Sequence, residues 1–255
     1  MQNLYIVTGA SRGLGEALVT QLLQPGNRIL CISRTTNDRL RAKAENEGVL
    51  LDWVEKDLAL LSEEGESESF LEKCLGAVQL NDIAKIRLIN NAGVLEPIGP
   101  AHMNESGAVG QHIAINLTAP ILLTSALLRI TASISADKRV MQISSGAGRK
   151  PYAGWSAYCA AKAGLDHFTR CLKLEQDEIK HGARVASVAP GVIDTDMQAL
   201  IRGAGEERFP SHSRFVKMHE MGELISPSDA ASRLLQYLES QSFGVEPIVD
   251  IRDLK

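Results

Sequence analysis

Seven short runs rich in branched apolar residues, at 4–7, 28–33, 49–54, 86–89, 140–143, 185–188 and 247–251, recur along the chain. Between them, the stretches 14–23, 66–80, 107–135, 157–180 and 228–238 carry apolar residues at the three- and four-residue spacing of a helix face. Strands that are apolar on both faces belong in a sheet covered on both sides, and strand–helix alternation joins them by right-handed crossovers. The pattern predicts one α/β domain, a doubly wound sheet of about seven parallel strands with helices on both faces.

At 255 residues such a sheet fits within one domain, and no repeat, long linker or low-complexity run divides it. Apolar residues make up 44% of the chain and charged ones 23%, which sets aside a disordered chain. A net charge of −4 gives no electrostatic ground for nucleic acid or an anionic membrane as partner, so any anion site must be local. Cys31, Cys74, Cys159 and Cys171 have no C-x-x-C spacing and the histidines are widely dispersed, so a reduced cytoplasmic setting and no metal are expected. The first residues lack the basic-then-apolar order of a signal peptide. The run 113–134 holds Asn116, Pro120 and Arg129 and reads as a buried helix rather than a lipid-spanning one.

Two segments break the rhythm. Residues 62–69 carry four glutamates and are expected to form a solvated loop and helix start. Residues 195–225 exceed a usual connection and are expected to form short helices acting as a substrate lid.

Directly after the first strand comes Thr8-Gly9-Ala10-Ser11-Arg12-Gly13-Leu14-Gly15. Gly9 permits a tight turn, Gly13 lets backbone approach a pyrophosphate, and Gly15 lets helix and strand pack closely. The helix start offers free amides and a favourable dipole to the anion. The G-x-x-x-G-x-G spacing departs from the more familiar G-x-G-x-x-G, but its place between strand and helix supports a dinucleotide site. At the end of the second strand, where an acid would select NAD by its ribose hydroxyl, stands Arg34. Arg34 and Arg12 together favour NADP(H) through forked contacts to a 2′-phosphate, and Asp57 is placed to accept from the adenine amino group.

Tyr158 and Lys162 lie one helical turn apart on one face. A free phenol titrates near about 10, and an adjacent ammonium is expected to lower it into a range useful for proton transfer. Ser144, at the end of the fifth strand, is placed to bond a carbonyl oxygen as negative charge develops there. Cys159 reads as a small buried residue rather than a redox switch.

In order, the glycine turn, Asn90-Asn91-Ala92-Gly93, Asn116, Ser144, Tyr158-x-x-x-Lys162 and Pro190-Gly191 resemble the short-chain dehydrogenase/reductase family over essentially the whole chain. The resemblance implies a Rossmann-type domain that binds NADP(H). It makes Tyr158 the general acid, Lys162 its tuner and a ribose anchor, Ser144 the carbonyl orienter, and Asn116 the holder of a water linking Lys162 to solvent. Gly9, Ser11, Arg12, Gly13, Leu14, Gly15, Arg34, Asp57 and Leu58 become cofactor contacts. Asn91, Ala92 and Gly93 wall the adenosine ribose, and Pro190, Gly191, Val192 and Thr195 cover the nicotinamide.

Within that family, residues 143–148, 154–159 and 190–198 are similar to the benzil reductase and sepiapterin reductase groups, both of which reduce vicinal dicarbonyls. This implies a 1,2-dicarbonyl substrate, benzil giving (S)-benzoin first, in a pocket lined by Tyr152, Trp155 and Met197 with Phe215 or Met218. Asp250 resembles the acid that anchors the pterin ring in sepiapterin reductases. A sepiapterin reductase, a 3-oxoacyl thioester, sugar or steroid reductase, and an NADPH-sensing scaffold without chemistry stay open as alternatives. A homodimer through the Tyr158 helix and its predecessor is expected by the same resemblance.

Overall fold

The structure, a computed structural model, describes residues 2–62 and 66–254. Seven strands form one parallel sheet: β1 Gln2–Thr8, β2 Asn27–Ser33, β3 Leu50–Glu55, β4 Ile83–Asn90, β5 Asp137–Ile143, β6 Arg184–Ala189 and β7 Ile248–Asp250. Their spatial order is β3-β2-β1-β4-β5-β6-β7. The direction of winding reverses between β1 and β4, so a crevice opens there at the carboxyl ends of the strands.

Alternation along each strand feeds two separate cores. Tyr5 and Val7 face α1 (Gly13–Leu22) and α9 (Pro227–Glu239), among Leu18, Val19, Leu234 and Leu238. Leu4 and Ile6 face the opposite layer, where α3 (Glu66–Leu75) and α5 (Ala119–Ile130) bring Leu71, Leu75, Leu123 and Leu127. Each such side chain contributes about 1.5–3 kcal/mol on burial. The layers match the doubly wound expectation.

Two local features differ from the pattern read in the sequence. Helix α2 (Asp38–Asn46) escaped it because only Leu40 and Ala44 are buried, too few for an apolar stripe. Asn37 caps it by accepting from the Leu40 amide at 3.1 Å. The single helix expected over 107–135 is instead α4 (Ser106–Ile113), a π turn (Ala114–Thr118) and α5. By length and composition Ser106–Ile130 could cross a membrane, yet Leu123, Ala126 and Leu127 pack on the sheet. Of the glutamate-rich stretch, residues 63–65 lie outside the described residues, and α3 begins at Glu66.

Residues 195–225 contain α7 (Asp196–Gly203) and α8 (His212–Glu220). A parallel bridge between Ile193 and Ile225 closes this excursion at its base, with hydrogen bonds of 2.9 Å (Ile225 N to Val192 O) and 3.0 Å (Asp194 N to Ile225 O). At the other end of the sheet Arg87 is fully buried. It donates to the Glu239 carboxylate at 2.8 and 3.1 Å and to the Asp137 carboxylate at 2.8 Å, so one guanidinium joins β4, β5 and α9.

Candidate active site

A cleft of about 1100 Å³ runs along the carboxyl ends of β1, β4, β5 and β6. At one end lies the glycine turn. Gly9 and Gly13 have φ of +67° and +57°, and a side chain on Gly15 would sit 2.0 Å from the Gly9 carbonyl oxygen. Asn91 braces the turn by donating its side-chain amide to Thr8 O (3.0 Å) and Gly9 O (3.2 Å), while the Thr8 hydroxyl accepts from Asn91 N and Ala92 N. Arg12 occupies the N-cap of α1 and provides no side-chain cap, so the first amides of that helix face the cleft, a donor set suited to a pyrophosphate.

Ser11, Leu14, Arg34, Asp57 and Leu58 line the same end. Asp57 spends one oxygen on the Ala59 amide at 3.0 Å. Arg34 is exposed at the rim. Arg12 reaches across the cleft to Asp196 at the start of α7, 2.8 Å away, with both side chains largely exposed. A screened surface pair of this kind is weak and exchangeable.

Tyr158 and Lys162 project from α6 (Ser156–Asp177) and are both buried. The Lys162 ammonium lies 5.8 Å from the centre of the Tyr158 ring and donates to Ile143 O at 2.9 Å. Burial pushes Lys162 down to about 8, with the Asp166 charge opposing. Burial pushes Tyr158 upward, opposed by the nearby Ser145 hydroxyl. The phenol is therefore raised rather than lowered as expected, because desolvation dominates. The Tyr158 ring also meets His112 and Trp155 edge-on at 5.9 and 5.6 Å.

The two serines after β5 part ways. Ser144 shares strand parity with Val140 and Gln142, whose face is covered by α5 and α6. Its hydroxyl therefore passes beneath α6 and donates to Asp166 Oδ1 at 2.6 Å. With its one proton committed there and 3% of its surface exposed, Ser144 is not placed to orient a carbonyl, contrary to expectation. Ser145 instead lines the cleft with Tyr158 and caps the short turn Gly146–Gly148. Period-two alternation was the available signal.

Asn116 sits on the π turn, fully buried. It donates to Val94 O (2.9 Å) and His112 O (3.1 Å) and accepts from Val94 N (3.2 Å), so its side chain splices the β4 loop to the kinked helix. One lone pair of Oδ1 is left for the water contact expected of it. Gly93 fits beneath because a side chain there would stand 2.9 Å from Asn116 Oδ1.

Pro190, Gly191, Val192 and Thr195 line the cleft beyond β6. Gly191 has φ of +82°, and a side chain would press on Ile225. The far chamber is aromatic: Trp155 stacks on Phe209 at 4.2 Å, with Tyr152 and Phe215 at 5.3 and 5.5 Å from Trp155. Tyr152, Trp155, Met197 and Phe215 line the cavity, whereas Met218 does not. Phe209, in an irregular stretch without periodicity, escaped sequence reading.

Asp250 borders the chamber, but Arg252 takes both of its oxygens, Nε at 2.8 Å and a terminal nitrogen at 2.6 Å. Asp250 and Arg252 face the cavity together, so the acid expected to anchor a pterin ring carries a guanidinium already paired with it.

Comparison with known proteins agrees with this geometry. The family profile of short chain dehydrogenase matches residues 3–204. A benzil reductase ((S)-benzoin forming) of Bacillus cereus is 38% identical over 246 residues, covering 96% of this chain and 98% of the relative. Sepiapterin reductase of Rattus norvegicus is 33% identical over 259 residues, covering 98% and 96%. The crystal structure of the KRED1-Pglu enzyme superposes with a TM-score of 0.78 at 29% identity, covering 93% of this chain and 95% of that one. A nicotinamide-dependent oxidoreductase acting on carbonyl and hydroxyl groups is what such a sheet, cleft and buried tyrosine–lysine pair make, and the chain belongs to the short-chain dehydrogenase family.

Proposed function

We propose that the protein is an NADPH-dependent carbonyl reductase of aromatic 1,2-dicarbonyl compounds, with benzil as the model substrate. The observation that carries this reading is the Ser145–Tyr158–Lys162 arrangement opening onto an aromatic chamber. Flat aryl groups pack well on Tyr152, Trp155 and Phe215. Bound reduced nicotinamide supplies the hydride to the carbonyl carbon. Tyr158 delivers its phenolic proton to the carbonyl oxygen, and its raised affinity for that proton keeps it in the acid form at neutral pH, which suits reduction. Ser145 donates to the same oxygen as charge builds there. Lys162, still protonated at neutral pH, stabilises the phenolate left behind.

Arg12 and Arg34 at the adenosine end support NADPH over NADH. The pairing of Asp250 with Arg252 supports a diketone over a pterin, because a guanidine-like ring edge would have to compete with Arg252 for the carboxylate. We assign residues 195–225 as the lid of this chamber, hinged at the Ile193–Ile225 bridge. Steady-state oxidation of NADPH by benzil, sepiapterin and an acetoacetyl thioester tests the reading: benzil turnover well above the others is expected, and turnover of the thioester alone overturns it.

A further inference from the structure

Helix α6 presents a third functional group on the face that carries Tyr158 and Lys162. Asp166 lies one turn beyond Lys162, is 1% exposed, and is spaced so that the three side chains line one stripe. Its Oδ1 accepts two hydroxyls, Ser144 from the end of β5 and Ser187 from β6, each at 2.6 Å. Its Oδ2 is buried without a hydrogen bond, and Arg149 Nε stands 3.9 Å away. A side chain on Gly148 would lie 2.8 Å from that oxygen and 2.9 Å from Lys162 O, so the turn capped by Ser145 rests directly on the carboxylate.

A buried carboxylate with one oxygen left without a hydrogen bond is costly to hold in a fold. Its geometry accounts for what it does. We propose that Asp166 is a positioning residue of the reaction, anchoring the strand ends so that Ser145 stands in the cleft beside Tyr158 and placing a negative charge beneath the Tyr158–Lys162 pair. This role rests on the reading of Tyr158 as the proton donor. The other titratable groups around the pair are His112, Cys159 and Arg149. His112 bonds Glu96 O through Nδ1 and is pushed below the ordinary histidine value by burial, so it stays neutral.

The sign of the effect is independent of which group of the pair titrates first. Removing a neighbouring negative charge makes the first proton leave at lower pH, whether it leaves from the ammonium or from the phenol. Asp166→Asn is therefore expected to move both the basic limb of the kcat/KM profile and the phenolate titration downward by about half a pH unit or more. The phenolate titration is the ultraviolet difference between each enzyme and its Tyr158→Phe counterpart. Arg149→Met, which removes the cation beside Oδ2, should move the same titration upward.

Ser144→Ala should lower kcat modestly and leave the limb in place, whereas Ser145→Ala lowers kcat far more. The titration needs no substrate, so it judges the charge of Asp166 even if benzil proves inert, which would count against the functional reading alone. Phenolate titrations unmoved in Asp166→Asn overturn the proposal. Should that variant fail to fold, an unmoved titration in Arg149→Met does so. A Ser144→Ala loss equal to that of Ser145→Ala overturns it as well, because Ser144 would then act on the substrate itself.

Discussion

Ser144 donates its hydroxyl to Asp166 at 2.6 Å, and the next serine, Ser145, lines the cleft beside Tyr158. Ser145→Ala is accordingly expected to lower kcat by about 10²–10³, the loss of one donor aimed at a developing oxyanion, with little change in NADPH affinity. Ser144→Ala should stay within about tenfold of the wild type, since its hydroxyl serves Asp166. Single-turnover rates with benzil separate the two.

Arg12 and Arg34 flank the adenosine end, and Arg12 can exchange its exposed partner Asp196 for a phosphate. Combining Arg12→Ala with Arg34→Asp removes two charge-assisted contacts and adds a repulsion. The ratio of kcat/KM for NADPH over NADH should fall by on the order of 10²-fold or more. A wild type equally efficient with both cofactors would contradict the assignment.

Lys162 is a functional burden on the fold. Its folded-state value near 8 lies below that of the unfolded chain, so the unfolded chain binds the extra proton between about pH 8 and 10.5. The destabilisation is complete below about pH 8 and fades as pH rises toward 10.5. Lys162→Met should therefore gain on the order of 1–2 kcal/mol at pH 7 after the lost bond to Ile143 is counted, while losing activity. The gain should vanish in melts near pH 10.

The Arg87 network sets the acid limit. Asp137 and Glu239 are both held at about 2, Asp137 and Glu239 alike by the Arg87 guanidinium against a burial effect of opposite sign. Depressed carboxylates contribute stability that is present above the unfolded values near 4 and is lost as pH falls toward 2. Thermal midpoints should drop steeply through that window. Arg87→Met should cost about 3–5 kcal/mol at pH 7 and flatten the drop, because Asp137 and Glu239 would then be held down only by Arg139, Arg184 and Lys85. An acid profile identical to wild type would remove Arg87 from this role.

Much of this was legible in the residues. The seven apolar runs correspond to the seven strands, because strands buried on both faces leave an unbroken apolar signature. Tyr158, Lys162, Asn116 and the glycine turn all come to one cleft. Ser144 and Ser145 could be told apart only by carrying strand parity past the last residue of β5, where the pairing that fixes a side chain's face ends. Helix α2 was hidden because a helix on the surface with two buried residues has no stripe to read. The partnership of Asp250 with Arg252 depends on a side-chain bond across a short turn, which composition does not signal.

The most direct test is the rate of NADPH oxidation with benzil by the wild type and by Tyr158→Phe, a change that removes one oxygen and leaves the ring packed between His112 and Trp155. Saturable wild-type turnover that falls by about 10² or more in the variant, with NADPH still bound, is the predicted result. A Tyr158→Phe enzyme working at the wild-type rate would contradict the assignment of Tyr158 as proton donor.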